Sequence, residues 1–97
     1  MEKSINSKYS EEIKKITSSG YSNISLVEIE PNRDTDFHTH DFDAYACVVK
    51  GKFILHCNNK KHVLKPGNFL AVDAKQLHSE KTSSIGATIL IGKKYKN

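Results

Sequence analysis

Phe37-His38-Thr39-His40-Asp41-Phe42-Asp43-Ala44-Tyr45-Ala46-Cys47-Val48-Val49-Lys50-Gly51 is the stretch on which the reading of this chain turns. Two of the five histidines stand here beside an apolar run that ends in glycine. If residues 36 to 40 are extended, the period of two puts His38 and His40 on one face with their imidazoles side by side, a chelating arrangement. A third histidine, His78, follows a Pro66-Gly67 turn and a short apolar strand, and a closed antiparallel sheet would bring it opposite the first two. Three imidazoles facing one point form a metal site that leaves coordination positions open.

Working outward, residues 8 to 18 carry the one helical pattern. Tyr9, Ile13 and Ile16 fall on one face, Glu11, Glu12, Lys14 and Lys15 on the other, and Gly20 is placed as a left-handed cap. The stripe is expected to cover an open end of a barrel or a dimer seam. From Tyr21 onward short apolar segments alternate with turn residues. Ser22 to Glu30 reads as a strand, Asp36 to His40 as the chelating strand, and Asp41 to Asp43 as a turn. Ala44 to Lys50 follows, with a tight reversal at Gly51. Lys52 to Cys57 pairs back through Asn58-Asn59 onto Lys61 to Lys65. Asn68 to Val72, Leu77 to Thr82 and Ile85 to Ile91 complete roughly eight strands, the number of a double-sheet jelly roll. Lys93 to Asn97 is expected to be a frayed tail.

At 97 residues, with 37% hydrophobic and 27% charged side chains, the chain is long enough for one globular domain. No apolar run approaches membrane-spanning length, and the first residues lack the apolar core of a signal peptide. A cytoplasmic location with reduced Cys47 and Cys57 is therefore expected. The formal charge of +4 comes from scattered lysines and a single arginine, Arg33. Without arginine forks for phosphate, nucleic acid is not an expected partner.

The two histidine-bearing segments together resemble the cupin family. Its first motif is His-x-His, then a turn, a glutamate, and a glycine six residues further on; His38, His40 and Gly51 match it. Its second motif is Pro-Gly-Asp, a strand, then Pro-x-Gly-x-x-His. Pro66, Gly67 and His78 match, with Asn68, Asp73 and Lys75 at the other three positions. The resemblance implies an all-β double-stranded β-helix, the cupin jelly-roll barrel, over residues 21–92. A short N-terminal α-helical extension at 1–20 and a tail at 93–97 would flank it. It also implies that His38, His40 and His78 ligate one divalent transition metal ion, for which iron, zinc, nickel and manganese all suit imidazole. The family's glutamate does not carry over, because Ala44 occupies its position. A three-histidine set without that glutamate is shared with the thiol dioxygenases of the same superfamily.

Glu80 lies two residues beyond His78 and, in an extended strand, points the same way. It has three readings: a fourth ligand, a group that orients an imidazole or acts as a base, or a rim residue facing water and Lys81. Ala44, Ala46 and Val48 share an inward phase and make a small apolar wall, with Cys47 on the opposite face. His56 and His62 belong to the hairpin, away from both motifs. Asp41 and Asp43 read as turn formers, Gln76 as a loop residue that either hydrogen-bonds a ligand or meets solvent, and Phe37 and Phe42 as core. The functional expectation is a metal-dependent enzyme, of oxygenase or of isomerase or lyase type, acting on a small polar or anionic molecule. The alternatives are a non-catalytic ligand- or metal-binding module and a metal-free remnant of the fold that serves in assembly. A homodimer is expected, since small jelly rolls expose edges that pairing would cover.

Overall fold

A computed structural model describes residues 8–95 of the chain. Helix α1 (Ser10–Ser18) precedes five strands, β1 (Ser22–Ile29), β2 (Phe42–Cys57), β3 (Lys60–Leu64), β4 (Phe69–Val72) and β5 (His78–Tyr95). All pairings are antiparallel, in the order β1-β5-β2-β3, with β4 also on β2. The expected all-β jelly roll with one short helix is thus the fold observed. Among the described residues no helix is long and apolar enough to cross a membrane.

The expected number of strands is corrected, because two of them are long and bent. β2 runs 16 residues and β5 runs 18, and each changes partners along its length. The first half of β2 pairs with β4 and with the last part of β5, whereas Phe53 to Cys57 pairs with β3 and with His78 to Thr82. Between the halves the β2–β5 register slips at Val48/Lys50 and again at Gly51/Phe53. Such bulges bend a strand and increase its twist. Gly51, expected as a reversal, is instead this bend: its φ is 80°, and a Cβ there would strike the Gly86 carbonyl, where φ is 71°. Two glycines meeting at the crossing let the long strands fold over without ending.

Other boundaries also move. Phe42 and Asp43 open β2 instead of forming a turn. Lys93 to Tyr95, expected in a tail, pair with Phe42 to Ala44, while residues 96–97 lie outside those described. The Asn58-Asn59 hairpin is as expected, both residues having the positive φ of a type I′ turn (53° and 60°).

Strand alternation sorts the apolar residues onto two faces. The inner face carries Val48, Phe53, Leu55, Val72, Ala87 and Ile89, all buried. The outer face carries Cys47 and Leu90, both fully buried beneath Ile16 of α1, with Tyr45, Leu26 and Phe69 packed around them. Helix α1 therefore covers the back of the sheet, not an open end of the barrel. Ile16 reaches the sheet because Gly92 has no side chain; a Cβ there would strike the Ile16 methyl and lie 3.1 Å from Tyr21 Cβ. Lys15 Nζ, 4.4 Å from the Phe69 ring centre, ties the last turn of α1 to β4. Phe37, expected in the core, is 58% exposed.

Candidate metal centre

The segment between β1 and β2 is laced along the first residues of β5. Thr82 N donates to Arg33 O, Thr35 N donates to Glu80 O, and Glu80 N donates to Thr35 Oγ1 (2.9 Å). Asp34 is then opposite Lys81, but His38 is opposite His78, so four steps on the segment match three on β5. This slip is why Asp36 to His40 is not the regular strand the sequence suggested. It ends in a reciprocal backbone pair, His38 N to His78 O at 2.8 Å and His78 N to His38 O at 3.0 Å. Residues so paired project side chains to the same face. Their ring centres are 4.4 Å apart, with His40 5.1 Å from His38 and 5.0 Å from His78.

Backbone carbonyls fix two of the rings. His38 Nδ1 donates to Asp36 O at 2.8 Å, and His78 Nδ1 donates to Gln76 O at 2.9 Å. A carbonyl only accepts, so the protons are assigned to Nδ1 and, in the neutral rings, each Nε2 presents a lone pair. The Gln76 side chain, for which the sequence leaves a ligand and solvent both open, turns back instead to its own loop, its Oε1 accepting from Asp73 N, and Gln76 serves the site through its carbonyl. His40 is set by stacking on Phe42, at 4.9 Å between centres and 11° between planes. Its pKa lies below the ordinary 6.5, first because burial penalises the charged ring and next because His78 and His38 adjoin it. The folded protein thus favours neutral His40, the form that binds metal.

Glu80 points inward from β5, its side chain 16% exposed, so the rim reading is corrected. Its Oε2 lies 3.5 Å from His38 Nε2 and 3.7 Å from His78 Nε2. One donor atom from each of His38, His40, His78 and Glu80 lies within 4.8 Å of all the others. Ligands about 2.1 Å from a common ion stand at most about 4.2 Å apart, so small side-chain rotations would close the set. Imidazole lone pairs and a carboxylate oxygen converging on one point are all acceptors. A dication fits that donor set, since it satisfies every member at once.

Arg33 is the residue that the sequence reading left out. Its Nε lies 3.3 Å from Glu80 Oε1 and its Nη1 lies 3.1 Å from Glu30 Oε1. The Nε is buried without an aligned hydrogen bond, so its contact with Glu80 is one of charge, drawing Oε1 aside while Oε2 faces the imidazoles. The available signal was that this is the only arginine in the chain. Asp41 faces solvent beside Lys75, and Asp43 accepts from Ala74 N at 2.7 Å; neither joins the cluster, and nor do His56 and His62.

Behind the cluster lies a cavity of about 130 Å³. Ala44, Ala46, Phe53 and Leu55 of β2 line it with Leu70 and Val72 of β4. Val27 and Ile29 of β1 close it together with Ile89 and Ile91 of β5, and its polar lining is His40, His78 and Glu80. Ala44 thus stands where the sequence placed it, on an inner wall, and leaves room beside the histidines.

A model of the family described as "Cupin domain" matches residues 25–89. Similar solved structures include a protein of unknown function from Rhizobium leguminosarum bv. viciae (TM-score 0.70, 14% identity, 75% of this chain and 69% of that one). A cupin superfamily protein from Desulfitobacterium hafniense aligns with TM-score 0.68 at 17% identity over 79% of this chain and 70% of that one. KdgF from Halomonas sp. aligns with TM-score 0.62 at 18% identity over 76% and 69%. At these identities the likeness is one of fold. No curated protein matches the sequence.

Proposed function

Since the chain belongs to the cupin family, we propose that it binds one divalent transition metal ion through His38, His40, His78 and Glu80 and acts there on a small molecule with a polar or anionic head. The observation that carries this is the convergence of acceptors. Two Nε2 lone pairs, aimed by the carbonyls of Asp36 and Gln76, face one carboxylate oxygen at 3.5 and 3.7 Å. Neutral donors with one carboxylate leave a dication with net positive charge, the condition for attracting an anionic or polarisable head. Bound there, the ion would supply Lewis acidity or, if redox-active, electron transfer. The chain's own residues hold the donors, with Phe42 against His40 and Arg33 against Glu80, and the apolar walls exclude water.

Glu80 takes the part of the carboxylate missing at position 44. It arrives from β5, whereas the family's glutamate position lies on β2. Glu80→Gln keeps the shape and removes the charge, so the affinity for Co²⁺ should fall about tenfold or more. Equal affinities in a competition titration against a chromophoric chelator would remove Glu80 from the ligand set. One observation favours the non-catalytic module. The groups lining the cavity that can carry a proton, His40, His78 and Glu80, are those the metal would engage. Turnover of small thiols or diketones by the iron-loaded protein, absent from the His78→Ala variant, would decide for an enzyme.

A further inference from the structure

The cavity behind the cluster specifies more than a polar head. Ten aliphatic or aromatic side chains line it, and its polar groups are His40, His78 and Glu80. From this we infer that the ligand is a compact molecule with an apolar body about the size of a six-membered ring and a single donor atom, which meets the histidine and glutamate end. The inference rests on the proposed metal site for the head group only; the assignment of the body rests on the cavity.

Size sets the first limit. A cavity of about 150 Å³ lined by Leu, Ile and Phe holds one benzene. At about 130 Å³ this one takes a ring or a short branched chain, and not a sugar or a dicarboxylate with its hydration. Polarity sets the second. A second polar group on the ligand would face Phe53, Leu55, Leu70 or Ile89 with nothing to bond. Leaving such a group unpaired weakens binding by about ten- to a hundredfold. Arg33 does not offer a second anchor, because its guanidinium is engaged by Glu80 and Glu30. Ala44 and Ala46 make the room: their small side chains are what keep β2 from filling the space beside the histidines.

The test measures binding of benzene, phenol and hydroquinone by ligand-observed NMR to the metal-free and the Co²⁺-loaded chain. Ala46→Leu, which fills the cavity, serves as the control, with Ala44→Val as a second in case the first is misfolded by circular dichroism. Benzene should bind the metal-free wild type and lose at least tenfold in either variant. Phenol should bind the Co²⁺-loaded form more tightly than benzene does and change the cobalt visible bands, and hydroquinone, whose second hydroxyl would face the apolar wall, should bind at least tenfold more weakly than phenol. Benzene binding that is absent, or unchanged in the filled variants, would overturn the apolar-body assignment, as would hydroquinone binding as tightly as phenol. If Co²⁺ does not bind while benzene still depends on Ala46, the metal reading fails and the cavity assignment stands.

Discussion

The outer and inner faces of the sheet are made from alternate residues of the same strands, yet they are finished differently. On the outer face Ile16, Cys47 and Leu90 are fully buried and Gly92 lets the helix seat directly on β5. On the inner face Ala44 and Ala46 stop short of filling the space, and His78 and Glu80 intrude among apolar neighbours. The difference separates two tasks. Close packing without polar groups contributes stability, whereas a void ending in converging acceptors costs stability and serves binding.

Breaking the outer face should leave the inner one working. Ile16→Ala removes most of a fully buried side chain and should destabilise the protein by about 2–5 kcal/mol in urea unfolding. Its Co²⁺ affinity should match the wild type under conditions where both are folded; a parallel loss would show that the two faces are coupled. Perturbing the inner face should do the reverse. Arg33→Ala frees Glu80 Oε1 and should weaken Co²⁺ binding about tenfold, as loss of an outer partner of a metal ligand commonly does. Arg33→Lys should restore part of it, and urea midpoints for both should stay close to wild type. Equal affinity for all three proteins would reduce Arg33 to a surface ion pair with Glu30.

The smallest effect concerns the thiols. Burial, then the nearby Glu12, raises Cys47 from 9.0 to about 11, and burial raises Cys57 as well. Because the unfolded thiol ionises first, this contribution to stability is complete below pH 9 and is lost as pH climbs from 9 toward 11. Iodoacetamide at pH 8 should leave both cysteines unmodified in the native protein and label both in urea, as read by mass spectrometry. Fast native labelling of Cys47 would mean that α1 lifts readily from the sheet.

The same division marks what could be read from the sequence. Period-two alternation identified Ala44 and Ala46 as inward and Cys47 as outward, and the spacing of His38, His40 and His78 brought three imidazoles together. Those signals are local or follow a recognisable order. The continuity of β2 through Gly51 was hidden, because glycine with positive φ serves a reversal and a bulge equally well, and only its contact with Gly86 distinguishes them. The slip between Asp34 and His38 was hidden for a related reason, since register belongs to two segments and neither carries it alone. Arg33 reads in the sequence only as the single arginine, and its part becomes visible only when the segment after β1 is laid against β5.

The most direct test of the account is a competition titration of Co²⁺ into untagged wild-type protein and the His38→Ala, His40→Ala double variant, with elemental analysis of the loaded samples. One ion per wild-type chain is expected, with a loss of more than about a hundredfold in the double variant, beyond the range for outer partners, and the β-rich circular dichroism spectrum retained. Absence of stoichiometric binding by the wild type, or equal binding by the folded double variant, would contradict it.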